Sequence, residues 1–304
     1  MKQLGLLLMA LAIIPIPGLA QEKITFKKMV WEMPNTGVKA LKKSFSREAL
    51  PAWAGIAAST AILYHYDSDL YEGAQATGRR WGLSNQDFTK TVAKFGKYDL
   101  LRLPTDTASA IYFMGDGWLD LAVAGSFMAY GHFNNEVRPF NTSLEILHGM
   151  AVSAFAVQVL KRSTGRESPS ERTEPRGRWS PFPSMNEYNR NTAKYDAMPS
   201  GHIMTSTLVF TVIRTNYPEY DSILLPLEVT WLSVLGFGML NNGAHWASDY
   251  PLGIAMGYVI GKAATTLGQA NVAKKASSQD SVWAFFPGMD PNGEAATVNA
   301  VRFF

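Results

Sequence analysis

The feature that most constrains this chain is a set of long apolar stretches. They fall at 51–64, 107–131, 144–160, 202–215, 222–242 and 251–267, separated by Gly, Pro, Asn and charged residues. None alternates strictly over a convincing window, and lengths above about ten residues favour helices over strands. The expected fold class is therefore all-α, a helical bundle of about six core helices. With 304 residues and 47% hydrophobic content, the chain can bury a substantial core.

Whether such a bundle lies in a membrane turns on finer features. Asp120, Gln158, Arg214 and Glu228 interrupt the apolar stretches, as they would in a soluble bundle. Against them stand Gly253, Gly257 and Gly261, which recur every fourth residue in PLGIAMGYVIGKAA. Small-residue stripes of this kind are favoured between membrane helices and also occur in tightly packed soluble bundles. The expectation taken forward is a membrane-embedded bundle.

The termini have a different character. Residues 1–20 combine Lys2, an apolar run, and the small residues Gly18 and Ala20 ahead of Gln21, the shape of a cleavable secretory signal. Pro15 and Pro17 shorten its helical part below the roughly 20 residues that a membrane span needs. Residues 21–48 are polar and lysine-rich and read as an exposed lead-in. The helical domain is expected over 49–269, and 270–304 reads as a more polar C-terminal tail. The signal implies a cell-envelope location, with the site facing the periplasm.

Composition excludes several chemistries. The net charge of +3 is small and no basic stripe interleaves with aromatics, so no nucleic-acid partner is implied. The absence of cysteine removes disulfides, thiolate metal sites and a cysteine nucleophile. His65, His132 and His148 lack acidic partners at ligand spacing and read as core or boundary positions. No metal or cofactor is expected, and the oligomeric state is left open.

Three clusters carry candidate chemistry. In AKYDAMPSGHIM, Pro199 blocks helix continuation, Ser200 is a good N-cap, Gly201 permits close approach and His202 falls in the first turn of the helix. A helix N-terminus gathers unpaired N–H groups and partial positive charge, so it suits an anion. In GAHWASDYPLG, His245 and Asp249 lie four residues apart, on one face if the segment is helical. A carboxylate bonded to one imidazole nitrogen leaves the other free as nucleophile or base; a plain helical pair or a cap would give the same spacing. Upstream, Lys161 ends an apolar helix and Arg162, Arg166, Arg172, Arg176 and Arg178 follow, cations suited to a phosphorylated substrate or to an ordinary solvated loop.

Taken in order, these clusters resemble the type 2 phosphatidic acid phosphatase (PAP2) superfamily, which includes lipid phosphatases, bacterial acid phosphatases and vanadium haloperoxidases. The resemblance covers roughly residues 145–265. Its second motif is intact at Pro199, Ser200, Gly201 and His202. The first keeps Lys161 but has Ser168-Pro169 where Arg-Pro is expected, and the third keeps His245 and Asp249 but has Gly238-Met239 in place of Ser-Arg.

The resemblance implies metal-free phosphoryl transfer through a phosphohistidine. His245 would be the nucleophile, Asp249 its orienting carboxylate and His202 the acid for the leaving alcohol. Lys161, Ser200 and Gly201 would hold the phosphate, with Arg166, Asn241 or Asn242 standing in for the missing arginines. The implied substrate is a phosphomonoester or pyrophosphate, lipid-linked if the bundle is in a membrane, with membrane lipids as surroundings. A non-catalytic scaffold that binds an anionic headgroup is the alternative from another class, and a vanadate-dependent haloperoxidase is a third.

Overall fold

The computed structural model of the chain describes residues 22–96, 98–269, 282–289 and 296–303. The secretory signal expected at 1–20 lies outside the described residues. Two short helices, α1 (Phe26–Trp31) and α2 (Met33–Ser44), precede the long α3 (Leu50–Arg80). A hairpin of β1 (Thr89–Phe95) and β2 (Tyr98–Pro104) leads to α4 (Thr107–Phe113), α5 (Gly117–Phe133) and α6 (Val137–Thr164). An irregular segment containing α7 (Met185–Arg190) then reaches α8 (Gly201–Asn216), α9 (Asp221–Asn241), α10 (Tyr250–Ala264) and α11 (Thr266–Gln269).

The apolar stretches read from the sequence became these helices, with boundaries set by local chemistry. The stretch at 107–131 divides into α4 and α5 because both starts are capped by carboxylates. Asp106 accepts from the Ser109 N–H and Asp116 from the Trp118 N–H, each at 2.8 Å. Helix α6 stops at Gly165, whose left-handed φ of 56° suits a residue without Cβ.

Helix α8 is the axis of the bundle. Its Leu208, Val209, Val212 and Ile213 meet Phe127 of α5, Ile146 of α6, Leu224 of α9 and Ile260 of α10. Complete burial of an aliphatic side chain such as Leu208 contributes roughly 1.5–3 kcal/mol, so this seam anchors the domain. The glycine stripe of α10 faces the α8 backbone. A Cβ on Gly253 would lie 2.8 Å from the Ser200 carbonyl oxygen, and one on Gly257 would overlap that of Met204. The stripe therefore sets how closely the helix carrying His202 approaches the one that follows His245.

The all-helical expectation holds for the bundle but misses two antiparallel hairpins, β1 with β2 and β3 (Val282–Met289) with β4 (Ala296–Phe303). In β1 the half-buried positions are Thr89, Thr91 and Ala93 while Val92 and Phe95 are exposed, so no apolar alternation marks the strand for a period-two reading. The lead-in expected to be exposed at 21–48 instead folds onto the bundle. Ile24, Thr36 and Ala40 are buried, and His148 of α6 bonds the Met29 carbonyl at 2.7 Å and Thr36 Oγ1 at 2.8 Å. A buried histidine needs both ring nitrogens partnered, and the polar lead-in supplies them.

Among the described residues, two helical segments are long and apolar enough to cross a membrane, Val137–Thr164 and Pro218–Asn241.

Candidate active site

Helix α6 delivers Lys161 to one end of the bundle. The Thr164 hydroxyl donates to the Met198 carbonyl at 2.7 Å, tying the end of α6 to the turn that precedes α8. That turn contains a cis Met198–Pro199 bond and closes on Ser200, whose Oγ accepts the Ile203 N–H at 3.4 Å as N-cap. The Lys161 Nζ consequently lies 3.9 Å from where Gly201 would carry a Cβ. A third segment is held by the Ser200 N–H, which donates to the Asp249 carbonyl at 3.2 Å.

This third segment brings in His245. The two imidazoles, 43 residues apart in sequence, come together with ring centroids 5.9 Å apart and planes at 67°. His245 is almost fully buried and its Nδ1 lies 2.6 Å from the Ala197 carbonyl oxygen. A carbonyl only accepts, so Nδ1 carries the proton and Nε2 keeps its lone pair.

Spacing had suggested that Asp249 orients this ring from one helical face. The segment is instead an irregular turn ending in a 3₁₀ turn, Ala247–Asp249, and the Asp249 Oδ2 lies 3.8 Å from His245 Nδ1. That separation is an ion-pair distance rather than a hydrogen bond. Asp249 orients the turn: its Oδ2 accepts the Trp246 N–H at 2.8 Å, while the Ala197 carbonyl orients the ring. Trp246, fully buried, donates its Nε1–H to the Glu167 carbonyl at 2.7 Å and so locks the turn to the segment after α6.

The electrostatics follow from this crowding. Burial, with the neighbouring His245 and the Lys161 ammonium, draws the His202 pKa down to about 3, so its ring is neutral. His202 nevertheless keeps part of its surface open. Burial alone would raise Asp249, but the Arg166 guanidinium and the nearby His245 hold it below the ordinary carboxylate range. The Lys161 Nζ is paired at 3.2 Å with Asp196, a partly exposed carboxylate three residues before Pro199.

Residues 142–273 match the family model of the PAP2 superfamily. None of the curated proteins compared with the chain matches it. Among solved structures, it is similar to the crystal structure of the first transmembrane PAP2 type phosphatidylglycerolphosphate phosphatase from Bacillus subtilis. That likeness has 14% identity and a TM-score of 0.46, over 81% of this chain and 98% of the other.

Within the matched segment, the two positions where arginines were expected hold no cation. Ser168 is buried against the backbone, its N–H donating to the Ala193 carbonyl at 2.8 Å. Met239 is fully buried in an apolar cluster with Ile203 and Leu235. Arg166, expected to reach the phosphate pocket as a substitute, does not. It is fully buried, and its Nη1 donates to Asp249 Oδ1 at 2.6 Å and to Ser248 Oγ at 2.7 Å. Its Nη2 donates to Asp67 Oδ2 at 2.7 Å and its Nε and Nη2 both reach the Arg176 carbonyl, so all five donors of the guanidinium are spent inside the protein. Asn241 is also committed elsewhere, accepting from Arg79 at 2.7 Å and donating to the Ser84 carbonyl at 2.7 Å.

Sequence reasoning missed the residues that reach the site from outside its motifs. The ring of Tyr112 lies 4.8 Å from that of His202, and Gly115 packs so closely that a Cβ there would come 2.7 Å from the His202 Cβ. Ala197 acts through its backbone, which leaves no mark on residue type. Asp196 alone had a readable signal, a lone acid just upstream of Pro-Ser-Gly-His.

Proposed function

We propose that this chain is a PAP2-type phosphatase that hydrolyses a phosphomonoester or pyrophosphate through a phosphohistidine on His245. The reading rests on one observation above all, the convergence of a tautomer-fixed His245 with His202 and Lys161. The Nε2 lone pair of His245 attacks phosphorus in line as the bond from phosphorus to the leaving oxygen breaks. His202 protonates that oxygen. Water then attacks the phosphoryl group, giving a proton to His202, and the P–N bond breaks with its electron pair returning to Nε2.

The proton on His202 arrives with the substrate. A buried neutral imidazole gains a proton when a phosphate dianion offsets the cost of burying its charge and the repulsion from Lys161. Lys161 and the Gly201 N–H hold the phosphate oxygens, the latter as a free donor of the first turn of α8. Ser200 holds the shape of that turn, since its hydroxyl is used as the cap.

A lipid-linked substrate and a membrane setting fit the outer surface. Phe155 and Val159 of α6 and Ile223, Leu225 and Val229 of α9 are exposed, on the two segments long enough to span. A cavity of about 440 Å³, lined by Trp53, Ile56, Ala61, Trp179 and Leu252, shares Met198 and Ser248 with the loops that carry the histidines. An apolar chain of a lipid phosphate fits such a lining. The secretory signal read at residues 1–20 supports action on the outer side of the cytoplasmic membrane.

The replacement of both motif arginines by Ser168 and Met239 favours a second reading, a catalytically silent domain that binds an anionic headgroup. Purified protein in detergent, given a chromogenic phosphomonoester or phosphatidic acid, separates the two. Phosphate release that disappears in His245→Ala, with a trapped acid-labile phosphoryl group mapped to His245, is the expected result. Release that survives the substitution removes His245 as nucleophile, and binding of either compound without turnover establishes the scaffold.

A further inference from the structure

The Arg166 guanidinium serves two carboxylates, and the second belongs to a helix outside the matched domain. Asp67 of α3 is fully buried. Its Oδ1 accepts the Ser248 N–H at 3.0 Å, and its Oδ2 accepts the Ser248 hydroxyl at 2.6 Å and Arg166 Nη2 at 2.7 Å. Two buried carboxylates therefore share one guanidinium. Buried ionic sets of this kind contribute little net stability compared with apolar packing of the same volume. Their value here is geometric.

The geometry forms a closed circuit around His245. The Arg166 carbonyl accepts the Ala197 N–H at 3.0 Å, and the Ala197 carbonyl accepts Nδ1–H of His245. From His245 the chain runs through Trp246 to Ser248 and Asp249, both of which are gripped by the Arg166 side chain. Arg166 thus touches both supports of the imidazole, one with its backbone and one with its guanidinium. Asp67 fixes the guanidinium and Ser248 together, while the rings of Tyr64, Trp179 and Trp246 enclose the guanidinium at 5.0–5.3 Å.

We propose that Asp67 is a positioning residue of this site, acting through Arg166 and Ser248 to set the angle at which His245 faces its substrate. This rests on the phosphatase reading above and extends the catalytic unit to α3. A small misplacement of a nucleophile costs rate while leaving ligand affinity in place.

The test compares wild type with Asp67→Asn and Arg166→Lys on the chromogenic phosphomonoester, using inorganic phosphate as inhibitor and ¹⁵N NMR of the His245 ring. In the first variant a side-chain amide presents an N–H to groups that need an acceptor, and in the second an ammonium offers three donors where the guanidinium fixed five. For both variants kcat is expected to fall by about 10- to 100-fold, as a nucleophile displaced by about 1 Å loses rate. KM and the phosphate Ki should stay within about twofold of wild type, because no phosphate contact is removed. The Nδ1–H tautomer of His245, uniform in wild type, should become mixed. Unchanged kcat in a folded variant, or a Ki that rises with the loss of rate, overturns the proposal. Should Asp67→Asn fail to fold, Ser248→Ala keeps the Asp67–Arg166 pair and must still lower kcat without raising KM. If wild type shows no turnover, the phosphatase reading fails, while the tautomer comparison still decides the role of Asp67.

Discussion

The carbonyl oxygen of Ala197 lies 2.6 Å from Nδ1 of His245, closer than any oxygen of Asp249, whose Oδ2 is 3.8 Å away. A backbone carbonyl rather than a carboxylate holds the tautomer that leaves Nε2 free. Asp249 is left with a different task, balancing Arg166 and closing the turn on the Trp246 N–H.

This division of labour makes Asp249→Asn less damaging than loss of a carboxylate that itself fixes the tautomer, where about 10⁴-fold is lost. A fall in kcat of about 10- to 100-fold is expected, comparable to misplacement rather than loss of the nucleophile. Steady-state kinetics beside His245→Ala, which should leave no measurable turnover, checks the ranking.

Asp196 pairs with Lys161, so a phosphate bound by the ammonium would compete with it. Asp196→Asn should lower the Ki for inorganic phosphate by about 3- to 10-fold, a gain in the range of one partly buried charge-assisted contact. Lys161→Ala should raise the same Ki. A Ki unmoved by Asp196→Asn would remove the carboxylate from the site.

The depressed pKa of His202 has a stability consequence with a defined sign. Between about pH 6.5 and about pH 3 the unfolded chain binds a proton on this residue that the folded chain refuses. The contribution is therefore complete above the unfolded value and is lost as the pH falls through that window. Asp249, depressed from its own ordinary value, adds a loss in the same direction only below about pH 4. Thermal melts from pH 7 to pH 4 should show a smaller decline for His202→Asn than for wild type. Titration calorimetry with phosphate in buffers of different ionisation enthalpy should show proton uptake that the variant lacks.

Gly257 faces the Met204 carbonyl across the α8–α10 contact, so Gly257→Ala must push the helices apart. A destabilisation of about 1–3 kcal/mol is expected, the usual cost of overpacking a tight interface. Because the same contact carries Ser200 and His202, activity should fall along with the melting temperature. A variant that melts like wild type would contradict the packing.

The sequence by itself determined the helical bundle, because apolar runs too long for strands leave a chain few other ways to bury them. It also determined the capped turn that starts α8. Pro199, Ser200, Gly201 and His202 act within a few bonds of one another, and local chemistry is written locally. The same holds for the glycine stripe, whose spacing matches the helical repeat. Only the tertiary structure decided what Arg166 and Asp249 do. Arg166 looked like a phosphate ligand because it is a cation near a motif, yet its partners come from a helix 99 residues upstream and a turn 82 and 83 residues downstream. Asp249 looked like the orienting group because of its spacing, but the chain entered an irregular turn and a backbone carbonyl from another segment took that place. Charge shows in a sequence, whereas the partner that neutralises it depends on which distant atoms folding brings within hydrogen-bond reach.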